Sequence, residues 1–273
     1  MTTRIAGIQM APGPDGGKNA ARAVELASVA AEKGAKIIAF PELCLTPWFL
    51  RDEDRTHFSL ARPSSNGSLE PFLRASKDLQ TVLVLPFFES SGERFYNSAA
   101  VIDSGTLLGV YRKVHLPNIP LYREQFYFSP GDTDFPVFAT SQGRIGVQIC
   151  WDNLFPEGTR ILALKGAEIV FAPTAASQDG QVHWERAVAA NAFANNLFVF
   201  RVNRVGKDTG ITFTGRSFCA DPWGEMVSEL AGSREAIVLA DIDRKERDAA
   251  DRTWGFLRHR RPEQYRDILN TGS

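Results

Sequence analysis

Apolar residues fall along this chain in two rhythms. Short continuous runs rich in Val, Ile, Leu and Phe predict buried strands at 4–10, 36–40, 81–85, 144–150, 167–172 and 197–202. Two further runs, 97–102 and 106–111, flank Asp103-Ser104-Gly105, which predicts a hairpin. Segments 211–220 and 236–242 complete the strand set. Between these runs the apolar positions take a helical period at 19–33, from Pro156 to about Lys165, and at 184–195. Breakers sit where the rhythm changes: Pro12 to Gly17 separates the first strand from the first helix, and Gly166 stops the second helix. Strands alternating with helices, some strands joined directly, predict an α/β protein whose mixed sheets are covered by helices. Neither a repeat nor a linker interrupts the pattern, so a single domain over 1–273 is expected.

Composition excludes several classes of partner. With 273 residues, 44% of them hydrophobic and 23% charged, the chain can bury a full core. Thirty-one basic residues against thirty-two acidic ones leave a net charge of −1, which supplies no field for steering onto nucleic acid or an anionic membrane. A small molecule is the expected partner. Segment 1–10 is too short and too polar for a signal peptide and no long apolar run follows, so a cytoplasmic protein is expected. Cys44, Cys150 and Cys219 are odd in number and widely spaced, which predicts free thiols rather than disulfides or a zinc site. Asn66-Gly67-Ser68 reads as a turn, and Gly17-Lys18 lacks the flanking glycine and hydroxyl of a phosphate loop.

Three polar residues share one context. Glu42 follows Ile-Ile-Ala-Phe-Pro, Lys113 follows Leu-Leu-Gly-Val-Tyr-Arg, and Cys150 follows Ile-Gly-Val-Gln-Ile, each at the end of an apolar run. Strand ends in α/β folds gather at one rim, where ligands bind. A thiol needs a base to become a nucleophile, a carboxylate can take its proton and later activate water, and an ammonium can hold an oxyanion. Together they describe attack on a carbonyl or nitrile carbon. Equally, Cys150 suits a small apolar core position, and Glu42 and Lys113 suit solvated strand ends. Spacing alone leaves both readings standing.

The motifs Phe40-Pro41-Glu42-Leu43, Tyr111-Arg112-Lys113-Val114-His115-Leu116 and Ile149-Cys150-Trp151-Asp152, in this order, resemble the three signatures of the nitrilase superfamily of carbon–nitrogen hydrolases. The resemblance extends over essentially the whole chain. It implies an α-β-β-α sandwich of two mixed sheets flanked by helices, a Glu42–Lys113–Cys150 catalytic triad, and no metal or organic cofactor. It also implies homo-oligomers built from dimers that pack sandwich on sandwich. Glu124, in Tyr122-Arg123-Glu124-Gln125-Phe126, matches a second acid of that superfamily, whose implied role is to hold substrate and Lys113 in place. Within the superfamily the chain is most similar to N-carbamoylputrescine amidohydrolases, through stretches that include 122–132, 150–157, His183-Trp184 and Trp254-Gly255. The implied substrate is a linear N-carbamoyl amine; an ω-amide or aliphatic amide cleaved by the same triad is the alternative, and a non-catalytic binding subunit a third reading.

Specificity residues are less constrained. Related hydrolases of N-carbamoyl-D-amino acids carry paired arginines just after the cysteine, where this chain has Asn153 and Leu154, so a carboxylate-bearing substrate is disfavoured, with Arg123 left as one available cation. Trp151 and Phe126 either wall the substrate's methylenes or pack the core. His183 either lines the pocket or caps the helix that follows, and His115 reads as a structural hydrogen-bonder because Glu42 fills the base role. The loop 173–182 is expected to border the pocket. Segment 252–273, with Trp254 and Phe256 among arginines, reads as a solvated tail or as an arm contacting another subunit.

Overall fold

The computed structural model describes residues 2–65, 67–177 and 180–270. Asn66 of the turn, Gln178 and Asp179 of the border loop, and 271–273 of the C-terminal segment lie outside the described residues.

The apolar runs pair into two sheets. The first has the order Ala236–Asp243, Thr2–Gln9, Ile37–Ala39, Val82–Ser91, Arg94–Asp103, Thr106–Arg112. The second has the order Phe218–Ala220, Phe198–Asn203, Ile169–Thr174, Gly143–Val147, Val137–Thr140. Both are mixed, with parallel strands at the centre and antiparallel strands outside. Successive residues of a strand face opposite sides, and here both sides are buried. Ile5, Ile37 and Val82 join Ile145, Ile169 and Phe198 in a core between the sheets. Their neighbours Ala6, Ile38 and Leu83 pack outward on Ala23, Leu26 and Ala27 of helix Gly16–Glu32 and on Phe72 of helix Glu70–Leu79. On the second sheet, Val170 and Val199 face Leu162 of helix Pro156–Leu164 and Val188 of helix Gln181–Asn195. Burial on two faces explains the unbroken apolar runs, and it produces the α-β-β-α sandwich. The sheets come so close at Gly7 that a Cβ there would lie 2.9 Å from the Phe200 ring.

Two expected strands are corrected. The run 144–150 stops as a strand at Val147: Gln148 still donates to the Phe171 carbonyl, but the Ile149 N–H turns to the Asp152 carboxylate, and Cys150 opens a 3-10 turn, Cys150–Leu154. The run 211–220 splits into Ile211–Thr214, paired with Val205–Asp208, and Phe218–Ala220 in the second sheet. Gly215 and Arg216, both at positive φ (69° and 59°), make the break.

The C-terminal segment begins inside helix Lys245–Trp254. Trp254 and Phe256 meet the Phe193 ring at centroid distances of 5.7 and 5.1 Å, so the aromatics dock this segment on helix Gln181–Asn195. No helix among the described residues is long and apolar enough to cross a membrane.

Candidate active site

Each polar residue of the site is delivered by an element that has just run out of partners. After Ile37–Ala39, Phe40 still donates to the Val84 carbonyl, Pro41 has no N–H to give, and Glu42 lands fully buried past the sheet. Lys113 follows Thr106–Arg112 directly, with its N–H on the Asn97 carbonyl (2.8 Å) and its own carbonyl accepting from Gly131 (2.8 Å). That second contact requires glycine, because a Cβ at 131 would sit 2.1 Å from the Arg112 carbonyl oxygen. Glu124 opens the single turn Glu124–Tyr127.

These three side chains meet out of contact with solvent. Lys113 Nζ donates to Glu42 Oε1 at 2.7 Å and to Glu124 Oε1 and Oε2 at 2.6 and 2.8 Å. Asn97 bridges the two acids from the other side, its Nδ2 donating to Glu42 Oε1 at 2.8 Å and to Glu124 Oε2 at 3.4 Å. Glu42 Oε2 has no hydrogen-bond partner among the described residues. Burial works against the Lys113 charge, but the charges of Glu124 and then Glu42 outweigh it and hold the ammonium's pKa above its ordinary value. The Glu124 carboxyl is pushed up to about 8, by burial first, against the pull of Lys113 and with added repulsion from Glu42.

The cysteine turn is held from below. Cys150 adopts a left-handed backbone (φ 47°), a conformation that side chains pay to occupy and that tertiary contacts must impose. Buried Asp152 imposes it by accepting four hydrogen bonds: from Ile149 N (3.0 Å), Tyr111 OH (2.7 Å), His115 N (2.9 Å) and His115 Nδ1 (2.8 Å). His115 also stacks on Phe155 at a centroid distance of 3.8 Å. Asn153 ties the turn from the other end, with Nδ2 donating to the carbonyls of Gln148 and Cys150 at 3.0 Å each. Burial pushes the Cys150 thiol well above its ordinary pKa, Glu42 adds to the rise, and Lys113 opposes it. The thiol is therefore protonated at rest, and its proton has to leave as it reacts. Cys44 and Cys219 are also buried free thiols, Cys44 pushed up to about 12 by burial.

A cavity of about 160 Å³ opens over Cys150. Trp151 is in its wall, together with Tyr122, Ile119, Ala176, Ser177 and Trp184. Three other expected substrate contacts lie elsewhere. Asn153 is outside the cavity wall with its Nδ2 engaged in the turn, Phe126 packs on Phe58 and Tyr127 at a separate surface groove, and His183 is exposed on the helix whose next residue, Trp184, faces the cavity. Loop 173–182 does border the site through Ala175, Ala176 and Ser177, the last donating its N–H to Tyr122 OH at 3.1 Å. Reading the sequence missed Asn97, Asp152, Tyr122 and Trp184. Tyr122 and Asp152 each stand two residues from an identified site residue, which was the available signal; Asn97, inside a strand, gave none.

Such a cluster can take a proton from a thiol, hold it near an ammonium and place an acyl carbon over the sulfur. A model of the carbon–nitrogen hydrolase family matches residues 4–252. The chain is 39% identical to an N-carbamoylputrescine amidase of Arabidopsis thaliana over 97% of this chain and 94% of that protein. It is 36% identical to a citrullinase of Francisella tularensis over 97% of this chain and 98% of that one. The crystal structure of a carbon–nitrogen hydrolase from Helicobacter pylori G27 superposes with a TM-score of 0.92 at 32% identity, covering 100% of both chains. The fold, the ordered motifs and these likenesses agree: this chain belongs to the carbon–nitrogen hydrolase family within the nitrilase superfamily, and is a hydrolase of carbon–nitrogen bonds other than peptide bonds.

Proposed function

We propose that the chain hydrolyses a linear N-carbamoyl amine through a thioester on Cys150, a class in which the names of its relatives nominate N-carbamoylputrescine and citrulline. The observation that carries the mechanism is the free buried oxygen of Glu42, Oε2, within electrostatic reach of a thiol that is protonated at rest. Cys150 Sγ attacks the ureido carbonyl as its proton passes to Glu42. Lys113 spends two of its three contacts on the two oxygens of Glu124, so one N–H can turn to the oxyanion, joined by the backbone N–H of Trp151. The tetrahedral intermediate collapses, the C–N bond breaks, and ammonia leaves with the proton from Glu42. Water then gives a proton to Glu42 and attacks the thioester, which releases the thiol and a carbamate that breaks down to carbon dioxide and the free amine. Two of the relatives' names point to substrates ending in a ureido group on an alkyl chain, which supports this class over simple amides.

Ammonia release over matched ureas and amides tests the reading. Turnover of pentylurea well above hexanamide is expected, and the reverse order would replace the ureido class with simple or ω-amides. Exchange of Cys150 for Ala is expected to lower kcat by ~10⁴-fold or more, since the covalent step is lost; substantial turnover by that variant would remove Cys150 from the mechanism.

A further inference from the structure

A second cation lies near the cavity, and no step above uses it. Arg201, on strand Phe198–Asn203, is wholly buried. Its guanidinium lies under the ring of Trp184, with Cζ 5.4 Å from the ring centroid, and Trp184 shares the cavity wall with Cys150. Nη1 donates to the Arg216 carbonyl at 3.2 Å; Nε and Nη2 have no partner among the described residues. Those two nitrogens form the edge of a guanidinium that engages a carboxylate with two parallel bonds. The acid in the neighbourhood, Glu185, is already held by Arg216, whose Nε and Nη2 meet its Oε1 at 2.7 and 2.6 Å. A buried charge without a counter-ion costs several kcal/mol, so a fold that keeps one spends stability on it.

Resting on the ureido reading and narrowing it, we propose that Arg201 is the specificity-determining residue of this site, selecting ureido substrates whose far end carries a carboxylate and rejecting those whose far end is an ammonium. Three observations converge on it. Arg201 lies behind the cavity wall, facing the Trp184 ring, and bonds to neither Glu42 nor Glu124, both of which are engaged by Lys113. Its carboxylate-binding edge is unspent. Among the described residues of the cavity wall, no side chain carries a carboxylate to receive an ammonium tail. Burial presses the Arg201 pKa down to about 10, with the charge of Glu185 among those opposing, so the side chain remains charged at neutral pH. This also revises the expectation that the absence of arginines at 153 and 154 disfavours an acidic substrate: a cation stands near the site on a different strand.

The test uses three ureas of matched length, 5-ureidopentanoate, pentylurea and N-carbamoylputrescine, on the native protein, Arg201→Met and Arg201→Lys. For the native protein, kcat/KM for 5-ureidopentanoate should exceed that for N-carbamoylputrescine by ~30-fold or more, the scale of discrimination that like and unlike buried charges impose. In Arg201→Met that ratio should fall to within ~3-fold, with the carboxylate compound losing and the ammonium compound gaining relative to pentylurea; Arg201→Lys should retain part of the preference. A native preference for N-carbamoylputrescine overturns the proposal without any variant. So does a loss in Arg201→Met that falls equally on all three ureas, which is what a structural role would give. Should no urea turn over while hexanamide does, the ureido reading fails by itself, and the same ranking is then read from adipamate against 6-aminohexanamide.

Discussion

Lys113 and Arg201 are both fully buried cations associated with one small cavity, and the protein treats them in opposite ways. Lys113 is surrounded: three bonds to two carboxylates, with Asn97 locking those carboxylates in place. Among the described residues, Arg201 has a single carbonyl and the face of an indole. Neutralisation makes the first cation a fixed part of the scaffold, able to lend an N–H to an oxyanion without dragging solvent with it. With no carboxylate bonded to it among the described residues, the second keeps its field, which suits discrimination between substrates more than bond making.

The sharpest way to break the comparison is to remove each charge. Lys113→Met should abolish turnover and destabilise the fold by ~3–5 kcal/mol, because it strands the buried Glu42 carboxylate and removes the donor from both oxygens of Glu124. Arg201→Met should leave urea-unfolding stability unchanged or raise it, because an uncompensated charge disappears; a loss as large as that of Lys113→Met would erase the distinction. Asp152→Asn should come next, costing ~2–3 kcal/mol and lowering activity, since an amide cannot accept from all four donors that the carboxylate serves. A matching loss of activity without a loss of stability would mean that Asp152 does more than hold the cysteine turn.

Glu124 offers a subtler test through pH. Its carboxyl titrates near 4.5 when unfolded and is pushed up to about 8 in the fold by burial, with Glu42 adding to the rise. The native state therefore binds more protons than the unfolded one across that window. The stability this proton supplies is complete below about 4.5 and is lost as pH rises through about 8. Melting temperatures of the native protein, compared with Glu124→Gln, should fall between pH 5 and 8.5 while the variant's change less. Parallel curves would show that the acid is ionised throughout. The smallest effect belongs far from both cations: Asp15 caps helix Gly16–Glu32 through the N–H groups of Gly17 and Lys18, and Asp15→Ala should cost ~1 kcal/mol in denaturant unfolding with kcat unaltered.

Legibility followed burial. Strands such as Ile37–Ala39 and Ile169–Thr174 are apolar on both faces and were readable from composition alone. Helix Lys245–Trp254 was not, because only Ala250 is buried in it and most of its other positions are charged. Helix Glu70–Leu79 hid for a similar reason, with Phe72, Ala75 and Ser76 its only buried positions. In the site, Glu42, Lys113 and Cys150 were candidates because they follow apolar runs, but only the resemblance favoured them over an inert reading, and Glu124 came from the resemblance alone. Asn153 differs from expectation: its position after the cysteine invited a substrate contact, yet it is outside the cavity wall and its Nδ2 is engaged by two carbonyls of its own turn.

By itself the sequence determined the α/β class, most of the strand order and the candidates for the polar cluster, because each of these is written in local runs and ordered motifs. What only the tertiary structure decided is how charges far apart in the chain balance one another. Lys113 gains Glu42 from 71 positions away, while Arg201 finds the acid beside it already taken by Arg216. Whether a buried cation is neutralised depends on which strand ends and turns the fold brings within hydrogen-bond range, and no local pattern records that.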